Sequence, residues 1–104
     1  MRIFFAGPLT DLKDPDKTKE FYSNLSGVAK SNGFDYFWAF QNGTDPNVER
    51  VIPPTEVYER DTNQLLHSDV MVAYVGEPSP GVGIEVEFAN THHIPVYILY
   101  EKDR

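Results

Sequence analysis

The chain has 104 residues, 40% hydrophobic and 13% aromatic, which is enough apolar material for one folded domain spanning 1–104 and too little length for two. Cysteine is absent, so disulfides and thiolate metal sites are excluded. The formal net charge of −7 argues against a nucleic-acid polymer as partner, because an acidic surface repels phosphate backbones; a single nucleotide, held by a local cluster of N–H groups, remains open.

In chain order, residues 2–6 read as a short buried strand closed by Gly7-Pro8. Residues 15–32 read as a helix, with Pro15 in its first turn, Asn32-Gly33 as its stop, and Phe21, Leu25 and Val28 as its apolar stripe. Residues 34–40 are aromatic and strand-like, and 41–54 read as a long loop. A second helix is expected over 55–67 with Thr55 as N-cap. A strand follows over 69–75, then a turn over 76–81, a third helix over 83–91 and a last strand over 94–100. The longest apolar runs, near 3–7 and 70–75, are too short to span a bilayer, and the opening residues lack a signal-peptide layout. A cytoplasmic protein with no membrane partner is expected.

The order β-α-β-α-β-α-β predicts an α/β fold: three layers, a parallel sheet of four to five strands, flavodoxin- or Rossmann-like, with helices on both faces. In such sheets ligands bind beyond the carboxyl ends of the strands. Those ends lead into residues 7–11, 40–45 and 76–83. Gly81 and Gly83 there let the backbone approach a ligand, and a helix mouth favours an anion or a hydroxyl-rich group. The same residues also suit a plain tight turn. Gly-Val-Gly lacks the third glycine of a dinucleotide fingerprint and is not a phosphate loop.

Helical phase separates two glutamates. Val82, Val86 and Ala89 share the face that packs on the sheet, and Glu87 points roughly 140° away from Val82, into solvent. Glu85 lies roughly 60° from Val82, at the flank of the stripe and beside the ligand edge. A carboxylate there fits a nucleophile or base, and it also fits a charge complementing a helix N-terminus. Asp61 stands four residues after Val57 and four before Leu65, on or beside an apolar stripe where an unpaired carboxylate is costly. The other charges of that helix, Glu56, Glu59 and Arg60, read as solvated. Asp69 reads as a turn residue at the opposite end of the sheet. His92-His93 do not face one way and read as a helix-end cation effect rather than a metal site. The aromatics from Phe34 to Phe40 read as core more than as a base-stacking platform.

Three segments carry a resemblance: Val57-Tyr-Glu-Arg-Asp61, Leu65-Leu-His-Ser-Asp69-Val-Met-Val-Ala, and Pro78-Ser-Pro-Gly-Val-Gly-Ile-Glu85. Together they resemble the nucleoside 2-deoxyribosyltransferase superfamily, closest to its 2′-deoxynucleoside 5′-phosphate N-hydrolase branch. The opening Ile3-Phe-Phe-Ala-Gly7-Pro8 fits the same family. The resemblance implies that Glu85 is the nucleophile and that Asp61 protonates the leaving base or holds the sugar. It implies that Ser79, which stands where transferases carry an aspartate, binds a 5′-phosphate, since a hydroxyl donates to phosphate and a carboxylate repels it. It places Phe4, Gly7, Pro8, Thr10, Gly81 and Gly83 about the substrate, with Phe4 where the family has a tyrosine and Thr10 as the hydroxyl donor of the first loop. The implied reaction is cleavage of the N-glycosidic bond of a small deoxynucleoside or deoxynucleotide through a covalent glutamyl sugar, with retention, requiring no metal or organic cofactor. Alternatives are a deoxyribosyltransferase that exchanges bases, or a nucleotide-binding domain without catalysis. Apolar residues Tyr58, Leu66, Phe88 and Tyr97 predict a homodimer or larger homo-oligomer.

Overall fold

In the computed structural model, residues 1–8, 13–38, 53–76 and 79–100 are described. The elements run β1 (Arg2–Ala6), α1 (Pro15–Ser31), β2 (Asp35–Trp38), α2 (Pro54–Leu66), β3 (Val70–Tyr74), α3 (Pro80–Thr91) and β4 (Val96–Leu99). The four strands form one sheet in the order β2-β1-β3-β4. Every pairing is parallel, with Phe4 opposite Phe37 on one side and Met71 on the other. The chain leaves β1 in one direction and crosses back to β3 in the other, so the order reverses between β1 and β3. In a parallel sheet a crevice opens at the carboxyl ends of such a strand pair.

Alternation along the strands splits the core in two, as a sheet covered on both faces requires. Ile3, Phe5, Trp38, Val70 and Tyr74 pack with Tyr22 and Ala29 of α1. Phe4, Ala6, Phe37, Met71 and Ala73 pack on the other side with Leu65 of α2 and Val82 and Ala89 of α3. The aromatics of β2 are core on both faces: Phe37 stacks on Phe4 at 5.6 Å, and Trp38 lies between Phe5 at 4.9 Å and Tyr22 at 4.4 Å.

The structure corrects several expectations. The buried stripe of α1 is Tyr22, Ser26 and Ala29, with Leu25 beside it, while Phe21 and Val28 are exposed. Small residues at 26 and 29 bring the helix close to the sheet, and the Ser26 hydroxyl is satisfied by donating to the Tyr22 carbonyl at 3.2 Å. Helix α2 begins at Pro54, so Thr55 lies inside it, and Pro53 stands at the cap without a side-chain bond. Proline at the first helical position supplies the helical φ in advance. Helix α3 begins at Pro80 rather than Gly83, capped by the Ser79 hydroxyl, which accepts from Val82 N–H at 3.3 Å. Gly81, read as turn, is therefore helical. Phe88 is half-buried against the core and stacks on His92, so it is not free surface. The 41–54 loop falls largely, and Thr10 wholly, outside the described residues.

Two glycines are fixed by tyrosine rings. A β-carbon at Gly7 would overlap the Tyr22 ring, and one at Gly76 would overlap the Tyr74 ring. The Tyr22 hydroxyl donates to the Pro8 carbonyl at 2.8 Å, which pins the turn leaving β1. At the opposite edge, Asp69 accepts from Arg2 N–H at 2.8 Å and Arg2 also donates to Gln64, so Asp69 is a structural clasp there.

After α3, His93 adopts φ 59°, a left-handed conformation that costs a non-glycine residue about 1–2 kcal/mol. The expected result is that His93→Gly raises the thermal midpoint by roughly 4–8 °C per kcal/mol recovered, read by circular dichroism.

Candidate active site

Helices α2 and α3 lie side by side on one face of the sheet, and a pocket of about 410 Å³ opens between them. It is lined by Val57, Tyr58, Asp61 and Thr62 of α2 and by Gly81, Ile84 and Glu85 of α3. That volume falls within the range of small-molecule sites. The phase of each helix accounts for the lining. Leu65 is buried below, which turns Asp61 inward; Val82 and Ala89 are buried, which leaves Glu85 at the flank and Glu87 exposed.

Asp61 is 7% exposed, and its carboxyl lies within hydrogen-bonding reach of that of half-buried Glu85. Two carboxyl groups can bond in this way only if one carries a proton. Arg60 donates to Asp61 Oδ1 from Nε at 3.0 Å and from Nη2 at 2.9 Å, while Glu85 has no cation bonded to it among the described residues. The proton accordingly rests on Glu85. Burial, then the charge and hydrogen bond of Asp61, push the Glu85 carboxyl up to about 9, against a smaller opposing pull from Arg60. The pair behaves as one unit holding one proton near neutral pH. Thr62 adds no free polar group, because its hydroxyl donates to the Tyr58 carbonyl at 2.7 Å.

The other residues expected at the site fall into three places. Ser79 caps α3, and its oxygen accepts from the helix, which leaves its own O–H to donate outward. Gly81 lines the pocket, and Gly83 is exposed one turn into the helix. A β-carbon at Gly81 would meet only Ser79 Oγ at 3.8 Å and one at Gly83 nothing within 4 Å, so neither glycine is demanded by packing. Phe4 and Pro8 are fully buried, and Gly7 stands against Tyr22, at the carboxyl end of β1 rather than on the pocket wall. Thr10 lies outside the described residues. Arg60, Tyr58 and Ile84 are not expected at the site from the sequence: Tyr58 reads there as interface surface, and Arg60 as one of the solvated charges of its helix. The apolar Tyr58 and Ile84 beside polar helix faces were the available signal, since both remain about half exposed at the pocket mouth.

The buried proton has a measurable cost. The folded state holds it where the unfolded chain has already ionised, so between about 4.5 and about 9 stability falls as pH rises, and it is fully recovered only below the unfolded value. Glu85→Gln places a neutral donor at the same position. Its thermal midpoint is expected to exceed that of the wild type at pH 8 by roughly 4 °C or more, the effect of ~1 kcal/mol in a domain of this size, and the gap should close towards pH 4.5. Equal midpoints at pH 5 and pH 8 would contradict the buried proton.

Comparison with known proteins places this geometry. Residues 3–104 match the family described as nucleoside 2-deoxyribosyltransferase. A protein of Syntrophotalea carbinolica named "Putative 2′-deoxynucleoside 5′-phosphate N-hydrolase 1" is 43% identical, with 96% of this chain and 68% of that protein aligned. A conserved protein from Enterococcus faecalis superposes with a TM-score of 0.74 at 26% identity, covering 97% of this chain and 64% of that one. The 2-deoxyribosyltransferase of Bacillus psychrosaccharolyticus superposes with a TM-score of 0.76 at 19% identity, covering 96% and 72%, which is a likeness of fold. The all-parallel α/β sheet and the match along nearly the whole chain agree, and the protein belongs to the nucleoside 2-deoxyribosyltransferase family, whose members are glycosyl-transferring or glycosyl-hydrolysing enzymes.

Proposed function

We propose that this protein hydrolyses the N-glycosidic bond of 2′-deoxynucleoside 5′-monophosphates, with Glu85 as nucleophile and Asp61 as acid and base. The observation that carries the reading is the close Asp61–Glu85 carboxyl pair on the wall of a nucleoside-sized pocket, with the Glu85 carboxyl pushed well above its ordinary value. Retaining cleavage needs that inventory: one carboxylate to attack C1′ and one carboxylic acid to protonate the departing base. In the substrate-free pair the proton rests on Glu85, and its passage along the hydrogen bond to Asp61 yields the reactive form. A 2-deoxyribosyl C1′ supports positive charge well, because no 2′-hydroxyl withdraws electrons from it. Water activated by Asp61 then resolves the sugar ester. If a second base does so instead, the same site is a deoxyribosyltransferase.

Ser79 supports the phosphate preference. Its hydroxyl caps α3 and points a proton outward at a helix N-terminus, where N–H groups attract an anion. Gly7, Pro8 and Thr10 belong, in this reading, to the substrate side of the β1 turn, with Phe4 packed in the core beneath them and Gly81 and Gly83 giving the ligand access to the α3 backbone. The reading also includes a cytoplasmic homodimer or larger assembly: Tyr58, Leu66 and Tyr97 are 51%, 52% and 63% exposed, an unusual apolar load for so small a surface. No helix among the described residues is long and apolar enough to cross a membrane.

Incubation with a panel of deoxynucleosides and their 5′-monophosphates, with free base read by chromatography, tests the activity. The monophosphates should be the better substrates. Glu85→Gln should lower kcat by about 10³-fold or more and Asp61→Asn by about 10²–10⁴-fold. Ser79→Asp should reverse the preference for phosphate, because a carboxylate about 4 Å from it costs ~4 kcal/mol at an effective dielectric of ~20. If no substrate in the panel yields free base, the hydrolase reading is lost.

The assembly is tested separately by light scattering at micromolar concentration, where a mass above that of one chain is expected. A monomer removes the oligomer from the reading without touching the chemistry.

A further inference from the structure

Asp61 has to gain and lose a charge in each cycle. In the first half, the bond from C1′ to the base breaks and its electron pair stays on the base nitrogen. A Glu85 oxygen bonds to C1′, and the Asp61 proton goes to that nitrogen. The negative charge that began on Glu85 therefore ends on Asp61. In the second half, a water oxygen bonds to C1′, the ester bond to Glu85 breaks, and a proton of that water goes to Asp61. An aspartate this buried acquires charge cheaply only where a cation stands in place beforehand.

Arg60 stands in that place. Both of its bonds to Asp61 fall on Oδ1, and Oδ2 takes neither of them. Neighbouring residues on a helix diverge, so a contact between them needs something to turn one side chain back. Here the guanidinium lies over the ring of Phe37, 5.4 Å from its centroid. Phe37 is itself buried and stacked on Phe4, so the platform under the cation is rigid and is supplied by β2, not α2. Among the described residues, the titratable or charged groups around the pair are Arg60 and Tyr58 from α2 and Glu85 from α3. The strands beneath contribute apolar side chains, Phe4, Phe37, Met71 and Ala73.

We propose that Arg60 is a positioning residue: seated on Phe37, it orients Asp61 for proton transfer and stabilises the charge that Asp61 acquires when the base departs. This deepens the hydrolase reading and rests on it for the reaction, though not for the electrostatics.

The test uses the full chain and two probes that differ in the leaving group. A deoxynucleoside 5′-monophosphate needs its base protonated, whereas 4-nitrophenyl 2-deoxyriboside 5-phosphate releases a stable anion without help. Arg60→Met should lower kcat/KM for the nucleotide by about 10²-fold and for the nitrophenyl probe by about threefold or less, since only the former draws on general acid catalysis. Arg60→Lys, which keeps the charge, should recover part of the loss. Equal losses on both probes would make Arg60 merely structural and overturn the proposal. A readout independent of turnover is the ¹³C carboxyl titration of the pair by NMR. Loss of the cation should move the Glu85 titration to higher pH, and an unchanged titration overturns the proposal. If the wild type cleaves neither probe, the hydrolase reading fails while the titration still decides whether Arg60 controls the pair. Should Arg60→Met fail to fold, Phe37→Leu removes the platform and leaves the charge. The same asymmetry between leaving groups is then expected at smaller size, and its absence counts against Arg60.

Discussion

The close approach of the Asp61 and Glu85 carboxyl groups, which with burial pushes Glu85 up to about 9, governs the arrangement of the site. Two carboxyl groups half or wholly out of water repel each other as anions and bond to each other when they share a proton. That sharing requires α2 and α3 to lie at a fixed spacing, and the core beneath them sets it. Leu65, Met71, Val82 and Ala89 are buried together, and the two helices meet over them. Any change that separates the helices would strand a carboxyl without its partner, which is far more costly than the loss of one apolar contact. The same pair lines the pocket between the helices, so the packing of this face and the shape of the pocket are one constraint.

The other face of the sheet serves the site indirectly. Tyr22 and Tyr74 fill the layer under α1, and their rings occupy the space that side chains at Gly7 and Gly76 would need. Gly7 follows directly on β1, and Gly76 stands two residues beyond the end of β3. The Tyr22 hydroxyl then ties the Pro8 carbonyl. Gly7 and Gly76, near the carboxyl ends of these strands, are thus each backed by an aromatic ring. The stacked series Tyr22–Trp38–Phe5 extends the same support across β2 and β1. Rigidity in these turns matters because a pocket built on loops positions substrate only as well as the loops are held.

How much of this could be read from the sequence follows from which signals are periodic. The strands and helices were legible because glycine and proline punctuate them and apolar residues alternate or recur between. Glu85, Asp61 and Glu87 were placed correctly by helical phase, since phase is arithmetic once a helix is identified. The stripe of α1 was misread because tyrosine and serine do not look like core; Tyr22 is fully buried, its ring stacked on Trp38 and its hydroxyl bonded to the Pro8 carbonyl, and Ser26 is satisfied by its own helix. The start of α3 was misread because Pro-Gly-Val-Gly suggests a turn, whereas a serine cap followed by proline starts the helix earlier. Arg60 was illegible for a different reason. Its contact with Asp61 breaks the rule for neighbours on a helix and depends on Phe37, a residue on another element more than twenty positions away.

The first turn of α3 shows why stability alone does not explain the sequence. Helices α1 and α2 each carry an acidic residue in the first turn, Asp16 and Glu56, which offsets the positive end of the helix. Helix α3 has none there. It carries instead two glycines, each about 1 kcal/mol worse than alanine inside a helix. Neither glycine relieves a clash, since a β-carbon would meet open space at Gly83 and ordinary contact at Gly81. A helix that forgoes the favourable charge and accepts flexible residues where side chains would fit is poorly optimised for folding. It is well arranged for something else: an uncompensated N-terminus with an unobstructed backbone, next to Ser79 and one turn from Glu85. Those properties agree with the phosphate-bearing sugar proposed as substrate, since free N–H groups at a helix N-terminus attract an anion.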